Sequence, residues 1–208
     1  METNNMQKYM KTIYGILCLS CALLMSCDLD LQKDYDYKAS VADMRVDKTA
    51  WEYLQDNNEE FSMFMAAIEY ADLKAYYTQS AQPYTFLALS NTAMKSYMEN
   101  VFPGEETITS CDLSTVRDML LYHIVDGAYS SYGQLDVEPM YVLTMLKGEQ
   151  GLMTMCVWKN PWQAAVGKVL INQAGSNGKS PQRNVRKSNI IVTNGVMHVL
   201  DNYCYYQK

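Results

Sequence analysis

Two histidines, His123 and His198, are the only imidazoles in the 208 residues, so any proton transfer through imidazole must use one of them. No G-x-S-x-G elbow, H-E-x-x-H helix or phosphate-binding glycine loop accompanies them. Two separated histidines are also too few to hold a metal. Alternation with period two puts His198 on the face of Val196 and Leu200, and His123 falls on the apolar side of a helical stripe. A histidine among aliphatics is a hydrogen-bonded core residue before it is a base or ligand. The expectation is therefore no enzyme, no cofactor and no metal site.

The six cysteines divide by place. Cys18 and Cys21 lie within an apolar run, Ile13 to Met25, that Lys8 and Lys11 precede, and Cys27 follows it. The run is too short to span a bilayer as a helix, which takes about 20 residues, and reads as a signal segment over residues 1–26. Its removal takes Cys18 and Cys21, and with Cys27 set aside at the new N-terminus the domain keeps Cys111, Cys156 and Cys204, an odd set that cannot pair completely within the chain. Cys156 and Cys204 both stand in strand-like segments, where one disulfide or two buried free thiols would fit.

Two further clusters have chemical potential. Lys179, Arg183, Arg186 and Lys187 form one basic run that can meet an acidic glycan or headgroup, or simply solvate a loop. Tyr203, Tyr205 and Tyr206 can stack on sugar rings or pack an edge strand. Tyrosine is the favoured aromatic, 17 against 4 Phe, and its apolar ring with a polar tip suits binding faces as well as cores. The net charge of -6 disfavours nucleic acid, whose phosphates reward a basic face.

The elements that must position these residues follow from pattern. At 49% hydrophobic and 19% charged, the chain reads as one folded domain with appendages. After the signal comes an acidic tether, residues 27–48, opening Asp28-Leu29-Asp30. The domain is expected over residues 49–205. Thr49-Ala50-Trp51-Glu52 fits a capping box, and Phe61, Phe64, Met65, Ile68 and Ala71 make an amphipathic stripe. Tyr84 to Leu89 reads as a strand, with Ser90-Asn91-Thr92 opening a helix behind it. Asp112 or Ser114 caps another helix, carrying Val116, Met119, Leu120 and His123, that stops at Asp126-Gly127. From Leu152 the pattern turns to strands: Leu152 to Trp158, Val166 to Asn172, then a hairpin whose Asn194-Gly195 predicts a type I′ turn with two positive φ angles. Gln173 to Lys187 reads as loop. Helices first and strands last, without βαβ alternation, predict an α+β fold.

Three resemblances add to this reading. Leu24-Met25-Ser26-Cys27 resembles the lipobox of bacterial lipoproteins, which implies that the Cys27 thiol is acylated and becomes the mature N-terminus; Cys21, preceded by Cys18 at the aliphatic position, is the other candidate. The acidic cluster behind Cys27 resembles the surface-export signal of Bacteroidetes-type lipoproteins. Thr85-Phe86-Leu87-Ala88-Leu89-Ser90-Asn91-Thr92-Ala93-Met94 resembles the T-x-F-A-P-T-x-x-A-F block of the fasciclin (FAS1) family, with Leu89 for proline and Met94 for phenylalanine. Leu120 to Gly127 is similar to its L-x-Y-H-x-x-x-G block, and Thr193 to Asp201 to N-G-V-I-H-x-I-D; Gly167 to Asn172 resembles the strand before it. Together they cover about residues 49–203. The resemblance implies a β-wedge or sandwich with helices packed around it, and a role in adhesion or matrix binding. Some animal members bind integrins through a Tyr-His pair, here Tyr122-His123, and an Asp-Ile pair, here Asn189-Ile190 with the carboxylate missing. The expected protein is thus anchored by lipid to the outer membrane, at the cell surface, and binds a protein or glycan. An auxiliary subunit of an outer-membrane nutrient-uptake complex is the alternative.

Overall fold

The computed structural model describes residues 44–159 and 167–208, which belong to one compact unit, Ala42–Lys208. The signal segment, Cys27, most of the tether and Val166 lie outside the described residues. Thr49 opens helix α1 (Ala50–Asp56) with both halves of the capping box: its hydroxyl accepts the Glu52 N–H, and the Glu52 carboxylate accepts the Thr49 N–H at 2.7 Å. The Thr49 N–H and, beside it, the Thr49 hydroxyl donating to the same carboxylate oxygen at 2.8 Å hold the Glu52 carboxyl below its ordinary range. Helix α2 (Asn58–Tyr70) buries Phe61, Phe64, Ala67 and Ile68, as its stripe predicts, while Met65 is half-buried. A short α3 (Lys74–Thr78) leads to β1 (Tyr84–Leu89), whose bounds match the expected strand.

Ser90 caps α4 (Asn91–Val101), accepting the Ala93 N–H, and its own hydroxyl donates to Asp201 at 2.8 Å. Asp112, not Ser114, caps α5 (Leu113–Tyr122). This helix ends four residues earlier than the Asp126-Gly127 signal predicts. The β-branched pair Ile124-Val125 leaves it to form β2 (Ile124–Asp126) against β1, with His123 as the pivot. Next come β3 (Met140–Leu143), which no sequence signal marked, and β4 (Leu152–Trp158) and β5 (Lys168–Ile171), which were expected. A two-residue β6 (Arg183–Asn184) interrupts the segment that reads as loop. Strands β7 (Lys187–Val192) and β8 (Gly195–Leu200) make the closing hairpin.

The strands form two four-stranded sheets, β2-β1-β8-β7 and β3-β4-β5-β6. All pairings are antiparallel except β1 with β8. The fold is therefore α+β, with helices packed on open sheets and no closed barrel. The three family-like blocks meet in one place: they supply the adjacent strands β2, β1 and β8, three of the four strands of the first sheet. Behind that sheet Tyr77 stacks on Phe86 at 4.8 Å and meets Phe64 edge-on at 6.1 Å.

The hairpin turn differs from its expected type. Thr193 and Asn194 occupy the two turn positions and neither has a positive φ; Gly195, the first residue of β8, has φ 149°. The reason lies in tertiary contacts. The Asn194 side chain accepts the Ala50 N–H at 2.8 Å and donates to Tyr77 O at 3.0 Å, tying the start of α1 and the end of α3 to the turn. At Gly195 a Cβ would stand 1.9 Å from Tyr84 O, so glycine is what lets β1 approach β8.

Candidate functional site

Both histidines are fully buried, and both rings are saturated. The Cys204 N–H donates to His123 Nε2 at 3.0 Å, so Nε2 carries no proton, and Nδ1–H donates to Met119 O at 2.7 Å. His198 has the opposite tautomer: Nδ1 accepts the Asn189 N–H at 3.2 Å, and Nε2–H donates to Tyr129 O at 2.9 Å. Burial pushes each imidazole down to about 4, so both stay neutral near pH 7. Neither ring nitrogen has a free lone pair for catalysis or for a metal.

The other expected binding residues are buried as well. The Tyr122 hydroxyl donates to Leu152 O at 2.8 Å and accepts from Asn172 Nδ2 at 3.1 Å. Asn172 in turn accepts the Thr154 N–H and an Asn177 N–H, which closes a polar network under the second sheet. Asn189 sits in the β7 bulge at φ 61°, where its Oδ1 accepts the Ser131 N–H at 2.9 Å and its Nδ2 donates to Ser131 Oγ at 2.7 Å. Ile190 is fully enclosed in the core. No hydrogen bond joins Tyr122-His123 to Asn189-Ile190 among the described residues. In this conformation the polar three, Tyr122, His123 and Asn189, spend their hydrogen bonds within the fold, and Ile190 packs in its core.

The basic run disperses. Arg186 pairs with Glu60 and with Asp201, Arg183 Nε donates to Tyr203 O, and Lys187 donates to the Tyr53 hydroxyl at 2.9 Å. Three of its four cations have partners within the fold, while Lys179 is exposed, so the run is not left free as one basic cluster. Cys111, Cys156 and Cys204 are buried free thiols, so the Cys156–Cys204 disulfide is not formed. Burial pushes the Cys204 thiol up to about 12.

A groove of about 680 Å³ lies between α4, α5, the connection from β3 to β4, and the segment after β8. Residues 203–208 have no regular structure but are firmly tied. Arg183 Nε donates to Tyr203 O at 2.8 Å, His123 accepts the Cys204 N–H, the Lys179 N–H donates to Gln207 O at 2.8 Å, and the Gln207 N–H donates to Ser180 Oγ at 2.9 Å. At Gly178, φ 57°, a Cβ would lie 2.6 Å from Gln207 O, so this strap needs a glycine beneath it.

Aromatic rings line the strap. Tyr203 meets Tyr97 of α4 edge-on at 5.2 Å, and Tyr205 lies beside Tyr203 at 5.6 Å with 40% of its surface exposed. The Tyr206 hydroxyl donates to Glu149 at 3.2 Å, and Lys208 pairs with the same carboxylate at 3.0 Å. Those two donors, Lys208 first, hold Glu149 below the ordinary carboxylate range. Tyr122 reaches the groove wall and His123 anchors the strap, so one of the two expected pairs lies directly beneath the site. Asn189-Ile190 does not line it. The groove draws on four stretches of chain, and only the closely spaced tyrosines at 203, 205 and 206 mark it in the sequence.

Comparison with known proteins places these features. The family model described as Fasciclin domain matches residues 59–204. Human periostin is 27% identical over 160 residues, which is 77% of this chain and 16% of periostin, so the chain spans a small part of that relative. Among solved structures, the FAS1 domain pair of the insect cell adhesion molecule fasciclin I aligns with a TM-score of 0.54 at 12% identity, over 75% of this chain and 50% of that one.

Proposed function

The chain belongs to the fasciclin domain family, and from that premise we propose that it acts by binding, as a cell-envelope protein that mediates adhesion or grips a surface protein or glycan. The observation that carries the reading is the groove: a rigid, tyrosine-lined concavity in a domain whose two histidines are neutral and fully hydrogen-bonded. Such a concave, aromatic-lined site suits the holding of a ligand, and neither imidazole has a nitrogen available for proton transfer. The structural relative is described as a cell adhesion molecule, which agrees in kind.

Residues 1–26 are proposed as a lipoprotein signal, 27–48 as an acidic tether and 49–205 as the binding domain, with Cys27 acylated and set in the outer membrane facing outward. Two or three acyl chains on Cys27 would hold the domain firmly, where a single chain gives only marginal attachment. The test compares wild type with Cys27→Ala for uptake of labelled fatty acid and for membrane fractionation, and adds crosslinking on intact cells. Label on wild type only, with a specific surface partner captured, supports the reading. An unlabelled wild type, or a Cys27→Ala protein that still fractionates with membranes, refutes the anchor. Co-purification with an outer-membrane transporter would move the assignment to an uptake complex.

A further inference from the structure

We infer that the groove takes a neutral oligosaccharide, seated against the Tyr205 ring and hydrogen-bonded by Asp118 and Gln150; this rests on the binding reading above and specifies its ligand. The volume of about 680 Å³ lies in the range of small-ligand sites and has room for a few sugar rings. A pyranose has an apolar C–H face and a rim of hydroxyls. Tyr205 offers the matching surface, a half-exposed ring whose orientation Tyr203 fixes. Asp118 and Gln150 line the same groove, and neither side chain has a hydrogen-bond or ion-pair partner among the described residues, so both are free to meet hydroxyls.

Charge selects the class of sugar. Lys208 is the cation of the groove, and it is already paired with Glu149 at 3.0 Å, which leaves Asp118 as the unbalanced charge. A sulfated or uronic-acid chain would be repelled, and a neutral one would not. Along the strap Tyr203 O, the Cys204 N–H and both polar groups of Gln207 are already bonded. The same bonds pre-organise the tyrosines, so little ordering is left to be done when a ligand arrives.

The experiment uses the full-length protein in detergent on a printed array of neutral oligosaccharides (glucan, mannan and N-acetylglucosamine oligomers) and anionic ones (sulfated and uronic), followed by calorimetric titration with the strongest neutral hit. Signal on neutral sugars is expected. Tyr205→Ala should weaken the hit by about tenfold, and Tyr205→Phe, which keeps the ring, by less than about threefold. Unchanged circular dichroism and thermal midpoint keep folding out of the comparison, since Tyr205 is 40% exposed. A blank array, binding to anionic sugars alone, or indifference to Tyr205→Ala overturns the inference. A blank array together with a specific partner crosslinked on intact cells overturns the sugar and leaves the binding reading standing. A blank array with no partner overturns both.

Discussion

His123 and His198 show what a buried imidazole does when it is neither base nor ligand: each joins two backbone groups that no helix or strand would otherwise pair. Keeping them neutral ties stability to pH. Each has its folded value pushed down to about 4 from 6.5, so the unfolded chain takes up protons first as pH falls. The stability they hold is complete above about pH 6.5 and is lost between there and about 4, roughly 2 kcal/mol apiece by pH 5. Urea unfolding at pH 7 and pH 5 should show that drop, and equal midpoints would contradict it. Tyr77 makes the opposite case, since its fully buried hydroxyl has no partner among the described residues. Tyr77→Phe keeps the stack on Phe86 and removes an unpaired polar atom, so the thermal midpoint should hold or rise, by about 1 kcal/mol of stability. A clear fall would mean the hydroxyl has a partner.

At the scale of elements, the hairpin turn is a joint between layers. Asn194→Ala removes two buried bonds, from Ala50 N–H and to Tyr77 O, and should cost about 2–4 kcal/mol in chemical denaturation. Thr49→Ala, at an exposed cap, should cost about 1 kcal/mol, and comparable losses for the two would refute the joint. Gly195→Ala drives a Cβ to 1.9 Å from Tyr84 O, and the β1–β8 pairing should fail, seen as loss of soluble folded protein. The same contrast shows what was legible in the sequence. Local signals carried through: the Thr49 capping box, strands β1 and β4, and the Ser90 cap agree with the residues that predicted them. What tertiary contacts decide did not. The end of α5 at Tyr122 depends on β2 finding β1, and the turn at Thr193-Asn194 depends on α1 and α3. Strand β3 exposes Tyr141 and Leu143, and Leu143 lies beside Leu152 of β4, a pattern that a short window of sequence does not distinguish from loop.

At the scale of the molecule, the family-like blocks build three of the four strands of the first sheet, and the candidate binding surface lies mostly outside them, on a strap that one of them anchors through His123. This arrangement separates what makes the fold from what meets a partner, and the chain retains the fold at 12% identity to fasciclin I. The groove is only partly legible from sequence, because Tyr97, Asp118 and Glu149 come to Tyr205 from distant positions. The central claim is that this face meets a partner at the cell surface. It is tested most directly by placing a photo-crosslinking residue at position 205 or, as a control, at Leu143, whose side chain is 71% exposed on the second sheet, and irradiating intact cells. The account predicts a specific adduct from position 205 and none from position 143. Capture from position 143 alone, or equal capture from both, would contradict it.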